Sequence, residues 1–540
     1  NLECHPSILS IKDFMISKQN LQDSQVSYKN LFVFENVTSL AVSDIIKSFK
    51  TSKSPGFDNI NSLVVKLTSE AIIEPLTELI NMCIHKGDVP LAWKSGQVTP
   101  IFKSYESLDK RNYRPISIVP IFDAIFEKCI YRQLYKWFDG LLVSRQSAFR
   151  KYHGCDTALI DLIENWKYNL DNKRSVGVVS LDLSKAFDSL PLDLLLAKLE
   201  AYGLSSKSIA LIKNFLFERR QRVKICDTFS EWSAVSRGVP QGSVLGPLLF
   251  NIFVNDYHFC ITKTQVNTYA DDNQLHFSHE CPMTIESTIN DGLQESLQWF
   301  SKNSLKANPD KFQSFGLAPG RLHVDFKFKV ANQELQQKNS IKLLGVTIDN
   351  ALNFHEHIAG LCRKISRQIS VFNRFKRLIP LDAKSKLYNS FILSHLNYCA
   401  TVWHFCLKSD SDKLERLNER VLRSIYQDKN SDYHSLLIKA NKTTLYNRRL
   451  QNITVLVFKA LNDLAPSYIN DLFSLRATPY NLRGSNILNV PKSNTTTYGL
   501  KSIRYLGPKL WNSLKDNIRT SNNLSSYKNL ISKVNLASHL

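Results

Sequence analysis

What the chain lacks narrows it first. Its ten cysteines include no pair at C-x₂-C spacing, and neither Cys399 nor Cys406 has a His or Cys partner at zinc-finger spacing. That argues against zinc modules and predicts reduced, mostly buried thiols in an intracellular protein. No charged-then-apolar leader opens the sequence, and the first residue is Asn1, so a fragment of a longer chain is expected. The longest apolar run, Val244 to Val254, is interrupted by Gly246, Pro247 and Asn251 and is too short to span a bilayer. No membrane partner is expected. Internal repeats and low-complexity tracts are missing too. Acidic residues are scarce in one region: positions 351–540 hold 29 Lys and Arg against 11 Asp and Glu, so that part carries +18 of the net +21. Such an asymmetry suits a clamp on a polyanion, with nucleic acid as the expected partner.

With 540 residues and 43% hydrophobic content, the chain should form several folding units. Apolar spacing predicts helices over Leu63–Lys86, Ile121–Phe138, Thr157–Leu170, Leu192–Tyr202, Val244–Val254, Glu286–Phe300, Leu361–Leu378, Ala383–Tyr398 and Asp412–Tyr426. Strands are predicted at Gly96–Phe102, Tyr113–Val119, Val176–Leu183 and Phe312–Leu317. The run Phe215–Lys224 reads as a strand edge whose Arg219, Arg220 and Arg222 reach nucleic-acid phosphates. Arg145–Lys151 reads as a polar connector, and residues 479–500 as Gly, Pro, Ser and Asn-rich interruptions.

Three acids carry the chemistry. Thr268-Tyr269-Ala270-Asp271-Asp272-Asn273 reads as strand, tight turn, strand, and the short β-branched run Val178-Val179 leads to Asp182 at a strand end. If these strands are neighbours, Asp182 and Asp271 converge with Asp272 beside them. That oxygen-rich set suits Mg²⁺, with Mn²⁺ as a substitute. Two such ions about 4 Å apart can activate a primer 3′-hydroxyl and stabilise leaving pyrophosphate. The chemistry implied is nucleotidyl transfer.

The ordered motifs widen the reading. LDLSKAFDSL around Asp182, Arg237-Gly238-Val239-Pro240-Gln241-Gly242 and YADD follow Ser54-Pro55-Gly56-Phe57-Asp58, Val98–Lys103, Tyr113–Ser117 and Phe126-Glu127-Lys128. Lys342–Val346 and Leu506–Asn512 lie downstream. In this order they resemble reverse transcriptases of non-LTR, LINE-like retrotransposons of the jockey and CR1 kind. The resemblance implies an α+β right-hand polymerase of fingers, palm with antiparallel sheet, and helical thumb, followed by a basic C-terminal extension. It implies Lys311 as a general acid toward pyrophosphate, and Lys103, Arg114, Gln241 and Gly242 at the incoming dNTP. Phe187 is implied as a wall beneath the sugar. RNA template, DNA primer or target, and dNTP are the implied partners.

The expected layout is an N-terminal leader and fingers extension at 1–83, fingers and palm at 84–348, thumb at 349–430, and a region of unassigned fold at 431–540. Thumb cations Arg363, Lys364, Arg367, Arg374, Lys376 and Arg377 are expected along nucleic acid. The site of action is expected to be nuclear, with cytoplasmic passage alongside the element RNA, and an endonuclease is expected on a missing upstream segment. Alternatives are a group II intron-type reverse transcriptase, an RNA-dependent RNA polymerase, which Asp188 keeps open although the aromatic Phe187 favours deoxynucleotides, or a silent nucleic-acid-binding derivative.

Overall fold

The computed structural model describes residues 2–19, 29–103, 106–321, 324–330, 333–476 and 487–539. Ser104 and Tyr105, beside Lys103, and part of the interruption expected at 479–500 lie outside them. Nine strands organise the catalytic half: β1 Ser95–Phe102, β2 Tyr113–Ile118, β3 Ser175–Leu181, β4 Arg219–Ile225, β5 Thr228–Phe229, β6 Ser233–Val235, β7 Gln265–Tyr269, β8 Asp272–His279 and β9 Gln313–Leu317.

The palm sheet runs in the order Gln337–Lys338, β9, β3, β8, β7. Its centre, β3, pairs antiparallel with both β8 and β9. A strand reads as an unbroken apolar run when both its faces are covered, and β3 is of that kind. Val176 and Val178 face the helix Cys155–Asp171, whereas Val179 and Leu181 join the core that includes the helix Pro282–Lys302. Gly177 lies on the second face because a Cβ there would come within 2.6 Å of Ile285 and 2.7 Å of Ile289. Helix therefore approaches strand directly over this residue.

The fingers sheet runs β2, β1, β4, β5, with β6 also on β4. This corrects the expected strand edge at Phe215–Lys224. Phe215 and Leu216 close the helix Ser206–Leu216, and β4 has partners on both sides. The predicted helix Leu63–Lys86 is broken at Thr68 into Ser62–Leu67 and Ser69–Lys86, the second ending at left-handed Gly87 (φ 68°). The helices Ser39–Ser48 and Ser69–Lys86 share a core with Ile121–Phe138, while Pro6–Gln19 packs on Leu192–Ala201 in the palm.

After a hairpin of Ser340–Leu343 and Val346–Asp349, the regular structure of the described residues is almost wholly helical. The thumb helix His355–Phe375 buries Ile358, Leu361, Ile365, Ile369 and Phe372 at helical spacing. The predicted run Ala383–Tyr398 is Leu381–Leu387, a π-helical turn Tyr388–Leu393, and Ser394–Asn397. No core boundary falls at 430. The helices Leu445–Leu461, Ile503–Ser513 and Leu524–Ile531 share one apolar core with Lys408–Tyr426, with the thumb helix and with palm residues Leu159 to Val178. The cysteines also depart from expectation: all ten are free, but only Cys83, Cys129 and Cys399 are buried. Helix spacing and connecting loops placed the others at partly or fully exposed positions.

Polar contacts fasten this last region to the palm. Glu164, almost fully buried on Cys155–Asp171, accepts from the Ile503 N–H at 2.9 Å and the Arg504 N–H at 3.0 Å. The carboxylate thus caps the first turn of Ile503–Ser513 from outside. Asp171 accepts from the Asn494 and Thr495 N–H groups at 3.0 and 2.7 Å, and Lys167 donates to the Lys501 carbonyl at 2.6 Å. An orphaned helix start leaves buried N–H groups without acceptors. Glu164→Ala is therefore expected to cost about 2 kcal/mol of stability. The denaturation midpoint of the full chain checks this, and an unchanged midpoint would make the contact incidental.

Candidate active site

The β7–β8 hairpin turns on two residues, Ala270 and Asp271, with Tyr269 paired to Asp272. Ala270 sits at φ 57°, a left-handed conformation that costs a non-glycine residue about 1 kcal/mol. The surroundings hold the strand in that place: Thr268 donates to the Arg145 carbonyl at 3.0 Å and accepts from the Ser147 N–H at 2.9 Å. Next to it, Asn267 donates to Asp161 at 2.7 Å. The segment read as a basic connector thus supports the hairpin from outside the sheet.

Register brings the third acid in. β3 and β8 pair as far as Leu181 with Asn273, and one further step sets Asp182 alongside Asp272. The Asp182 carbonyl accepts from the Asn308 N–H at 3.0 Å, tying the acid to the segment before β9. Its carboxylate meets Lys311, Nζ to Oδ2 at 3.3 Å. Asp271 and Asp272 both reach the surface, yet protein crowds them. Crowding first, then repulsion from Asp271 and Asp182, pushes Asp272 up to about 6. Asp271 is raised by crowding and by Asp182, while Lys103 and Arg114 draw it back down. The two fingers cations, exposed at the end of β1 and on β2, therefore face the palm acids across the cleft.

Asp182, Asp271 and Asp272 are near enough to one another for their charges to interact, and Lys311 engages Asp182. Among the described residues the side chains as placed form no closed three-ligand cluster. The donor chemistry nevertheless fits a hard dication. All three are carboxylates, and two of them are raised by burial first and by neighbouring negative charge after it.

The Arg237–Gly242 loop closes the cleft beside these acids. Gly238 (φ 79°) leaves room for the Phe187–Asp188 backbone, which a Cβ would meet at 2.6 Å. Gly242 (φ 127°) is filled by protein, because a Cβ there would collide with the Ser117 carbonyl oxygen. The side of Gly242 that a Cβ would occupy thus faces β2. The Gln241 carbonyl accepts from the Ser117 N–H at 2.6 Å, and its Nε2 donates to Asp188 at 2.8 Å. Phe187 stacks on Phe250 with centroids 4.1 Å apart and meets Phe149 edge-on at 6.0 Å, so it is half-buried packing.

A cavity of about 350 Å³ adjoins this loop, between fingers and palm. Lys185, Asp188, Arg220, Arg237 and Gln241 are among its walls. Lys185 and the Asp188–Gln241 contact were missed in the sequence: the first sits inside a motif read for its acid, and the second joins residues 53 apart. Arg219 is corrected. It lines this cavity but is only 4% exposed, and its guanidinium is held by Asp123 at 3.3 Å, so it is a fold contact and not an exposed phosphate ligand. Arg220 and Arg222 lie over the Trp232 ring at 4.8 and 4.9 Å. On the thumb, Arg363, Lys364, Arg367, Arg374 and Arg377 are exposed and Lys376 half-buried, far along the chain from the acids.

Residues 101–348 match the family described as reverse transcriptase (RNA-dependent DNA polymerase). Among curated relatives, the probable RNA-directed DNA polymerase from transposon BS of Drosophila melanogaster is 27% identical over 71% of this chain and 44% of its own length. The RNA-directed DNA polymerase from mobile element jockey of the same organism is 26% identical over 72% and 44%, and the probable enzyme from transposon X-element 25% over 71% and 43%. The chain spans less than half the length of each of these relatives. A Candida tropicalis apo telomerase aligns with 52% of the chain and 58% of its own, at 14% identity and a TM-score of 0.34, a likeness too slight to bear on fold or function. The matched segment, somewhat under half of the chain, contains the β7–β8 hairpin, Asp182 and the Gln241 loop in their motif order, and the chain is similar there to the RNA-directed DNA polymerases of the BS, jockey and X-element transposons.

Proposed function

We propose that the chain is an RNA-directed DNA polymerase that copies an element's RNA by adding dNTPs to a primer 3′-hydroxyl. The observation that carries this is the register of β3 on β8. It sets Asp182 alongside the Asp271–Asp272 turn, opposite Lys103 and Arg114. Asp182, Asp271 and Asp272 would hold Mg²⁺, as two ions, with Mn²⁺ as a substitute. The metal supplies Lewis acidity at the phosphoryl group and a lowered pKa at the attacking hydroxyl. Lys103 and Arg114 bind the triphosphate through charge-assisted contacts. Lys311, now paired with Asp182, is the proton donor toward pyrophosphate once substrate draws it away. Phe187 forms the wall beneath the sugar, with the Gln241 side chain at the nucleotide.

The thumb helix serves as a grip on the RNA–DNA duplex, since exposed Arg363, Arg367 and Arg374 recur along one of its faces. Log affinity falls with log salt by about 0.7 to 0.9 per phosphate contact. Replacing these three by Ala is expected to flatten that slope by about two, on any sequence. Duplex binding across a salt series checks it; an unchanged slope in the folded variant would assign the charge to another task. We propose a nuclear place of action, at the DNA target. No helix among the described residues is long and apolar enough to cross a membrane.

Primer extension on an RNA template, with dNTPs or rNTPs and with or without Mg²⁺, tests the reading. Metal-dependent extension with dNTPs is expected. Extension with rNTPs alone would make the chain an RNA polymerase, and none under any condition would leave only a binding protein.

A further inference from the structure

The side chain that does most to hold the Gln241 loop lies on a fingers helix and took no role in the sequence reading. Glu127, 0% exposed on Ile121–Phe138, accepts at a single oxygen from three donors. They are the Ser243 hydroxyl at 2.5 Å, the Val244 N–H, and the Leu245 N–H at 2.8 Å. Ser243 Oγ in turn accepts from the Gly246 N–H at 3.0 Å. The downstream end of the loop is therefore fastened by one carboxylate at the point where it enters the helix Gly246–Val254.

The upstream end is fastened differently. Gly238 and Val239 donate to the Leu190 and Phe187 carbonyls at 2.9 and 3.0 Å, within the palm. Gln241 lies between the two anchorages, three residues from Val244, with its amide already committed to Asp188 on one side. One turn before Glu127 on the same helix, Asp123 holds Arg219, the first residue of β4. This helix thus addresses both the fingers sheet and the nucleotide loop. A carboxylate accepting several N–H groups is a strong, directional anchor, and removing it leaves buried donors without acceptors.

We infer that Glu127 is a positioning residue for nucleotide binding: through Ser243, Val244 and Leu245 it sets where the Pro240-Gln241-Gly242 turn, and so the Gln241 side chain, meets the incoming dNTP. The inference rests on the polymerase reading. Were the carboxylate only a cap for Gly246–Val254, its loss would lower stability and leave dNTP affinity alone.

The test joins steady-state primer extension with amide hydrogen exchange of the 241–246 segment in the full chain. In Glu127→Ala, exchange should quicken at least tenfold, and the KM for dNTP should rise about tenfold with kcat within threefold of wild type, whereas Glu127→Gln, which keeps an acceptor oxygen, should recover much of the loss. Ser243→Ala, which removes one donor of three, should raise KM about threefold. A folded Glu127→Ala with unchanged exchange overturns the inference, as does a KM within twofold of wild type or a loss confined to kcat. Should Glu127→Ala fail to fold, an unchanged KM in Ser243→Ala overturns it equally. A wild-type chain that extends no primer brings down the polymerase reading instead, a failure visible before any variant is made.

Discussion

Asp271→Asn is expected to lower primer extension about 10³-fold or more, on the order of 4 kcal/mol of transition-state stabilisation, with folding and template binding nearly unchanged. The carboxylate stands on a two-residue turn and reaches the surface, so the core loses nothing when it is neutralised. What it loses is charge at the point where Lys103 and Arg114 face the palm. The substitution also relieves repulsion on Asp272, so a modest gain in stability would accompany the loss of activity. Extension rates and circular dichroism on the same preparation check both. Extension near wild type would sink the assignment of this turn to catalysis.

Phe187→Ala should weaken discrimination between dNTPs and rNTPs by roughly 10²-fold, the scale on which a pocket wall rejects one added hydroxyl. Because Phe187 stacks on Phe250 and meets Phe149, the variant should also be less stable. The ratio of kcat/KM for the two substrates cancels that cost, since both are turned over by the same folded fraction. An unchanged ratio in a variant that still extends DNA would leave Phe187 as packing alone.

How much of this was legible beforehand depended on sequence distance. β3 announced itself because a strand covered on both faces must be apolar throughout, and the hairpin because Tyr269 to Asn273 carries its turn within four peptide bonds. The helix His355–Phe375 was visible through its buried stripe, although its start lay six residues earlier than the spacing suggested. Burial of Arg219 was not legible. Among Arg219, Arg220 and Arg222 nothing local says which one turns inward, and the deciding partner, Asp123, lies 96 residues upstream. Glu127 was hidden for the same reason, with its donors 116 to 118 residues away. Gly242 was found for its freedom of approach, but only the fold could reveal that Ser117 fills the space. The region after 430 stayed unread because its contacts are with a palm helix more than 300 residues distant.

Those last contacts have a bearing on how the chain folds during synthesis. The face of the palm sheet formed by Val176, Val178, Phe315 and Leu317 belongs to the same core as Trp511, Tyr527 and Leu536. While the ribosome works through the intervening stretch, that face and the helix Cys155–Asp171 await partners not yet made. Closure of such a long loop is slow, and exposed apolar surface invites aggregation meanwhile. The first core, complete by about Val330, can form as soon as it emerges. The nascent protein would then pass through a state with its hairpin built and its reverse side bare, so chaperone demand should rise in the second half of translation.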